Sequence, residues 1–141
     1  MTHPNLDIIN RFFEAYGGHD EPGIRQVLAE NVKWIFPGQN PMSGTKADIE
    51  EVIAFFDTMG GIMGRSNVKA EKLVTGVNDD YVVECQHIWT SRDDGNNLDH
   101  QWCVLWKFAN GKITEGRHFA ANQFAVDEFF NKLIPAGNRK D

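Results

Sequence analysis

Residues Asp80–Asn122 read DYVVECQHIWTSRDDGNNLDHQWCVLWKFANGKITEGRHFAAN. The stretch divides into three strand-like runs, Tyr81–Thr90, Leu98–Phe108 and Lys112–Asn122. They are separated by Asp94-Gly95-Asn96 and by Asn110-Gly111, residues that tolerate positive φ and favour tight turns. Treating Asn110-Gly111 as a two-residue turn pairs Ala109 with Lys112, Trp106 with Glu115 and Trp102 with Phe119. The first hairpin is expected to set Trp89 opposite His100 and His87 opposite Trp102. Because side chains alternate across a strand, one face then carries Val83, Cys85, His87 and Trp89 from the first run. The second adds His100, Trp102, Val104 and Trp106, and the third adds Arg117 and Phe119. Such a surface is too apolar to leave wet and too polar for ordinary core. It predicts the floor of a pocket.

Outward from this meander, the chain of 141 residues is expected to form a single domain over 1–141. That length suffices to bury roughly two-thirds of its unfolded surface. With 41% apolar and 24% charged residues, it has the balance of a soluble globular protein. A formal charge of −6 and the lack of any Lys/Arg run argue against nucleic acid as a partner. No stretch approaches the roughly 20 apolar residues of a membrane span, and the first residues lack the pattern of a secretory signal. A cytoplasmic location is expected, with no membrane association. Cys85 and Cys103 are read as free, partly buried thiols on opposite faces of the sheet. No metal-ligand spacing occurs, and no phosphate-cradling glycine loop follows a strand, so neither metal nor cofactor is expected.

Before the meander, Leu6, Ile9, Phe12, Phe13 and Tyr16 recur with helical period, and Gly17-Gly18 ends that helix. A short helix is expected near Pro22 with Asp20 as its cap, followed by a strand over Val32–Phe36 that Pro37-Gly38 stops. Thr45 and Asp48 have the spacing of a capping box, which predicts a third helix starting there with Ile49, Val52, Ile53, Phe56 and Met59 buried. Gly60-Gly61 and Gly64 predict a loosened segment after it, and Val68–Val77 a further strand. Phe124, Val126, Phe129, Phe130 and Leu133 predict a closing helix halted by Pro135. Helices gathered first and strands last give an α+β fold.

This order of elements resembles the nuclear-transport-factor-two-like fold, a cone-shaped, curved antiparallel sheet wrapped around N-terminal helices and closed by a short C-terminal helix. Trp34-Ile35-Phe36-Pro37-Gly38 running into Pro41-Met42-Ser43-Gly44, and Asn110-Gly111-Lys112-Ile113 followed by Arg117-His118-Phe119, resemble its SnoaL-like polyketide cyclase branch. The resemblance spans about Asn5–Leu133. It implies a hydrophobic small-molecule ligand and a homodimer formed through the sheet, but not a particular reaction. Arg11 to Asn31 is also similar to the opening of ketosteroid isomerases. That family carries its oxyanion-stabilising Tyr at the position of Phe12 and its general-base Asp at that of Phe36, and neither Phe moves a proton. The acid that polyketide cyclases place near the end of the last strand is replaced by Ala120-Ala121-Asn122.

The remaining polar candidates define the expected site. His87 and His100 are candidate proton-transfer bases, with Arg117 as an anion holder, for isomerase- or cyclase-type chemistry on an apolar carbonyl compound. Tyr16, Trp34, Trp89, Trp102, Phe119 and Asn122 are candidate ligand contacts, and the rings suit a planar or polycyclic molecule. The alternative for the histidines is a hydrogen-bonded core role, with Glu115 and Arg117 as a structural ion pair. A single bulge in the last strand would exchange Arg117 for His118 on the inner face. Three readings stay open, in order of preference: an enzyme, a non-catalytic binder using the same pocket, and an interaction module.

Overall fold

The computed structural model describes residues 3–134. Pro135, the expected stop of the last helix, lies outside them. The elements are α1 (Pro4–Gly17), α2 (Glu21–Val27), β1 (Leu28–Phe36), β2 (Gly44–Lys46), α3 (Ile49–Arg65), β3 (Lys69–Val77), β4 (Tyr81–Trp89), β5 (Asp99–Ala109), β6 (Lys112–Ala120) and α4 (Gln123–Leu133). The fold is α+β. Its six strands form one curved, unclosed sheet in the order β2-β1-β6-β5-β4-β3. β1 runs parallel to β6, so the sheet is mixed rather than wholly antiparallel.

Each helix starts where a side chain can accept from an orphan N–H. His3 Nδ1 accepts from Asn5 N ahead of Pro4, Asp20 caps α2, and Asn122 caps α4. α3 begins three residues later than the Thr45 spacing predicts, with Asp48 as its cap. Asp48 Oδ1 accepts from Glu51 N, and Glu51 Oε2 accepts from Ala47 N, so the reciprocal cap belongs to the Asp48–Glu51 pair. Thr45 instead lies in β2, opposite Ile35. The expected loosening at Gly60-Gly61 does not occur. α3 runs through both glycines to Arg65, because burial of Met59, Ile62 and Met63 outweighs the roughly 1 kcal/mol helix penalty of each glycine.

The core lies between α1, α3 and the inner face of the sheet. Phe12 meets Trp106 edge-on with ring centroids 5.0 Å apart, and Phe56 meets Trp34 at 4.8 Å. At the other end, the carboxylate of Asp127 on α4 fixes the Pro37-Gly38 loop by accepting from Gln39 N and Asn40 Nδ2.

Both hairpins differ from the expected register by one residue. In β4–β5, Ile88 faces His100 and Gln86 faces Trp102. The connection is a loop over 90–98 rather than a tight turn. Its geometry is set by Asn97 Oδ1, which accepts from Thr90 Oγ1 and Arg92 N, and by Leu98 N donating to Thr90 Oγ1. A one-residue slip flips every side chain of a strand. Val83, Cys85, His87 and Trp89 therefore lie on the outer face, while Val82, Glu84, Gln86 and Ile88 lie inside. In β5–β6, Ala109 pairs with Lys112 as expected. The register then shifts at Thr114, so that Trp106 faces Gly116 and Trp102 faces Ala120. This bulge turns His118 inward and leaves Arg117 and Phe119 exposed on the outer face.

Candidate functional site

An apolar cavity of about 200 Å³ opens between α1, α3 and the inner face of the sheet. Its wall combines Tyr16 from α1, Trp34 from β1, Gln86 from β4, Trp102 and Trp106 from β5 and His118 from β6. Gly116 makes this arrangement possible. A Cβ there would sit 2.1–2.4 Å from three benzo-ring atoms of Trp34, so only glycine lets that indole lie against β6.

The polar part of the wall is a chain of groups whose order follows from donor and acceptor chemistry. Glu84 is buried on the inner face of β4 and pairs with Lys72 Nζ at 3.3 Å. Its carboxylate accepts from Gln86 Nε2. The indole Nε1 of Trp102 donates to Gln86 Oε1 at 3.0 Å. An indole N–H only donates, so Trp102 fixes the Gln86 amide with Oε1 toward the indole and Nε2 toward Glu84. The second Nε2 hydrogen of Gln86 has no partner among the described residues, and the side chain lines the cavity.

His118 is packed between Phe36, Trp102 and Trp34, with centroid distances of 5.0, 4.9 and 5.8 Å. Its Nδ1 is sealed and has no hydrogen-bond partner. Burial first, and the charge of Lys46 second, pull its pKa down to about 3, which leaves a neutral imidazole at pH 7. Tyr16 moves the other way. Burial and the neighbouring charge of Asp57 raise its hydroxyl to about 12, so it stays a neutral phenol. Its ring stacks on Phe12, and the hydroxyl lies over Gly60 of α3.

Of the residues singled out in the sequence, the structure gathers Tyr16, Trp34 and Trp102 on the cavity wall. His87 points to the outer face, where it stacks on Trp89 and places Nε2 2.7 Å from Asp99 Oδ1. Arg117 is exposed beside Phe119, which is 50% exposed. His100 is buried against Trp102 but outside the cavity wall. Both its ring nitrogens lack partners, and burial lowers its pKa. Asn122 is committed to capping α4. Sequence reasoning placed Gln86 and His118 on the opposite face and passed over Glu84. The signal for all three is strand register, which the loop over 90–98 and the Thr114 bulge control.

Among the described residues, no group of three or more His, Cys, Asp and Glu side chains could hold a metal ion. The sequence profile of the SnoaL-like domain matches residues 9–116. The chain belongs to the SnoaL-like domain family. The uncharacterized protein Rv0034 of Mycobacterium tuberculosis is 28% identical over 127 residues, covering 89% of this chain and 95% of its own. Bal32a, from a soil-derived mobile gene cassette, is also 28% identical. It superposes with a TM-score of 0.78 over 90% of this SnoaL-like chain and 96% of its own. An NTF2-like protein of Burkholderia xenovorans, 21% identical, reaches a TM-score of 0.77 over 93% of this chain and 98% of its own. The likeness to the NTF2-like protein shows that the SnoaL-like chain shares its fold.

Proposed function

We propose that this SnoaL-like protein is a cytoplasmic binder of a small, apolar, carbonyl-bearing molecule, which it holds in the aromatic cavity with the Gln86 amide as polar anchor. The observation that carries this reading is the Glu84–Gln86–Trp102 chain, which fixes the Gln86 amide on a largely apolar wall and leaves its second Nε2 hydrogen without a partner. Volume sets the ligand's size. An apolar cavity of about 150 Å³ in another protein takes up benzene, so about 200 Å³ suits one substituted ring rather than the polycycle the ring content alone allows. Calorimetric titration with acetophenone and with ethylbenzene, near-isosteres with and without a carbonyl, tests the reading. Saturable binding with preference for the ketone is expected. Saturation by neither would refute it.

The enzyme reading rests on one observation, the unpartnered imidazole of His118 beside the cavity. It would make His118 the proton carrier of an isomerase- or cyclase-type reaction. An imidazole lowered to about 3 is a feeble base at neutral pH, which is why binding is preferred. Turnover of a bound ketone that disappears in His118→Gln with binding intact would reverse that order.

The outer sheet face exposes Val74 (60%), Val83 and Phe119. We propose that it pairs with a second copy of the chain. Sedimentation at twice the mass of 16.0 kDa is the expected result.

A further inference from the structure

The register that turns Gln86 and Trp102 inward also brings Cys85 and Cys103 face to face on the outer side of β4 and β5. Both are free, and both are half-buried. Their Sγ atoms are in contact at 2.7 Å. Directly opposed residues of an antiparallel pair have Cα atoms about 4.5 or 5.5 Å apart, depending on their place in the ladder. Both spacings fall within the range of about 4.4–6.8 Å that a disulfide spans, so the strands need not move to join these sulfurs.

We propose that Cys85 and Cys103 form a reversible thiol–disulfide site, a cross-strand pair that a glutathione-type disulfide oxidises and its thiol reduces. One protein thiolate attacks glutathione disulfide, forming a mixed disulfide and releasing one glutathione. The second protein thiolate then attacks the protein sulfur of that mixed disulfide and releases the other glutathione. Two protein thiols are oxidised, one glutathione disulfide is reduced to two thiols, and the two protons end on those thiols. Burial first, and the contact with Cys85 second, raise the Cys103 thiol to about 11. The bond would span the strand pair immediately beside Gln86 and Trp102, fixing their separation from the opposite face.

Incubating the folded, reduced protein with excess oxidised glutathione, followed by denaturation, thiol counting and intact-mass measurement, tests the site. The expected product is a monomeric chain with no free thiol, lighter by two hydrogens, that dithiothreitol restores. Cys85→Ser and Cys103→Ser, each checked for a native circular dichroism spectrum, should stop at a single free or glutathionylated thiol. As a second readout, phenylarsine oxide should bind the reduced wild type one to one and tightly, and each single variant at least ten-fold more weakly. The proposal is overturned by two thiols still free after oxidation, by a stable adduct with two glutathiones, or by a cross-link between chains.

Discussion

Gln86→Leu isolates the polar anchor from the rest of the cavity. Leucine keeps roughly the size of the side chain, so the wall stays closed. It removes the acceptor of Trp102 Nε1, 3.0 Å away, and the amide donor of Glu84, which keeps Lys72 as its partner. Leaving such buried groups unpaired costs about 1–3 kcal/mol, which for a domain of this size lowers Tm by roughly 3–12 °C. Ligand affinity should respond differently for the two probes. A neutral hydrogen bond contributes about 0.5–1.5 kcal/mol net, so the Kd for acetophenone should rise about two- to twelve-fold. Ethylbenzene makes no such bond, and its Kd should stay level or fall as the wall becomes more apolar. The readout is the ratio of the two constants at 25 °C, measured calorimetrically on variant shown to be folded. Stability loss alone moves both ligands together. An equal shift for both, or a ketone preference that survives the substitution, would falsify the anchor role of Gln86.

Four further outcomes follow from the same coordinates. Gly116→Ala places a methyl against Trp34, which Phe12, Phe56 and Trp106 hold in place, so urea unfolding should show a loss of about 1–3 kcal/mol together with weaker ligand binding. His118 is lowered from 6.5 to about 3, so between those pH values the unfolded chain binds a proton that the folded chain does not. Its contribution is complete above pH 6.5 and is lost as pH falls. Wild type should therefore lose a little over 1 kcal/mol more than His118→Phe between pH 7 and 5.5. His87→Ala should leave stability and ligand affinity almost unchanged, within about 0.5 kcal/mol, because its hydrogen bond with Asp99 is solvated and its ring lies outside the cavity; a large loss of binding would contradict the observed register. Asp127→Ala removes the oxygen that accepts from Gln39, Asn40 and Gln123, and should cost about 1–3 kcal/mol by thermal melting.

The helices were legible because their signals are local. The stripe through Ile9 and Phe12, the Asp20 cap and the closing run through Val126, Phe129 and Phe130 all stand where the 3.6-residue period puts them. The Asn110-Gly111 turn was equally legible, and Asn110 does take positive φ. The parallel β1–β6 pairing was not, because it is a contact between strands far apart in sequence. Strand parity failed on β4 for a different reason. Val83, Cys85, His87 and Trp89 form the more aromatic of its two faces, and hydrophobic alternation favours burying them. The protein instead buries Glu84 and Gln86 and offsets that cost with Lys72 and the indole of Trp102, partners that no reading of β4 alone supplies.

The chemistry of the cavity wall is thus decided by two local irregularities rather than by composition. Had the Thr114 bulge been absent, Arg117 would face the aromatic cage in place of His118. A buried guanidinium would then need a counter-ion, and among the described residues the wall holds no carboxylate. With the bulge, every wall group is neutral at pH 7: a phenol held near 12, an imidazole held near 3, a primary amide and three indoles. Among the described residues the one buried carboxylate, Glu84, stands behind Gln86 and meets its amide rather than lining the cavity. On the proposed reading, such a wall holds its ligand by shape and by the directed hydrogen bond of Gln86. The same slip on β4 that set Gln86 inside set Cys85 against Cys103 outside, so anchor and thiol pair are two faces of one register choice. Moving that register by a single residue, for example by deleting one residue from the loop over 90–98, should therefore abolish ketone preference and cross-strand oxidation together. Loss of only one of the two would show that the faces are not coupled through the strands.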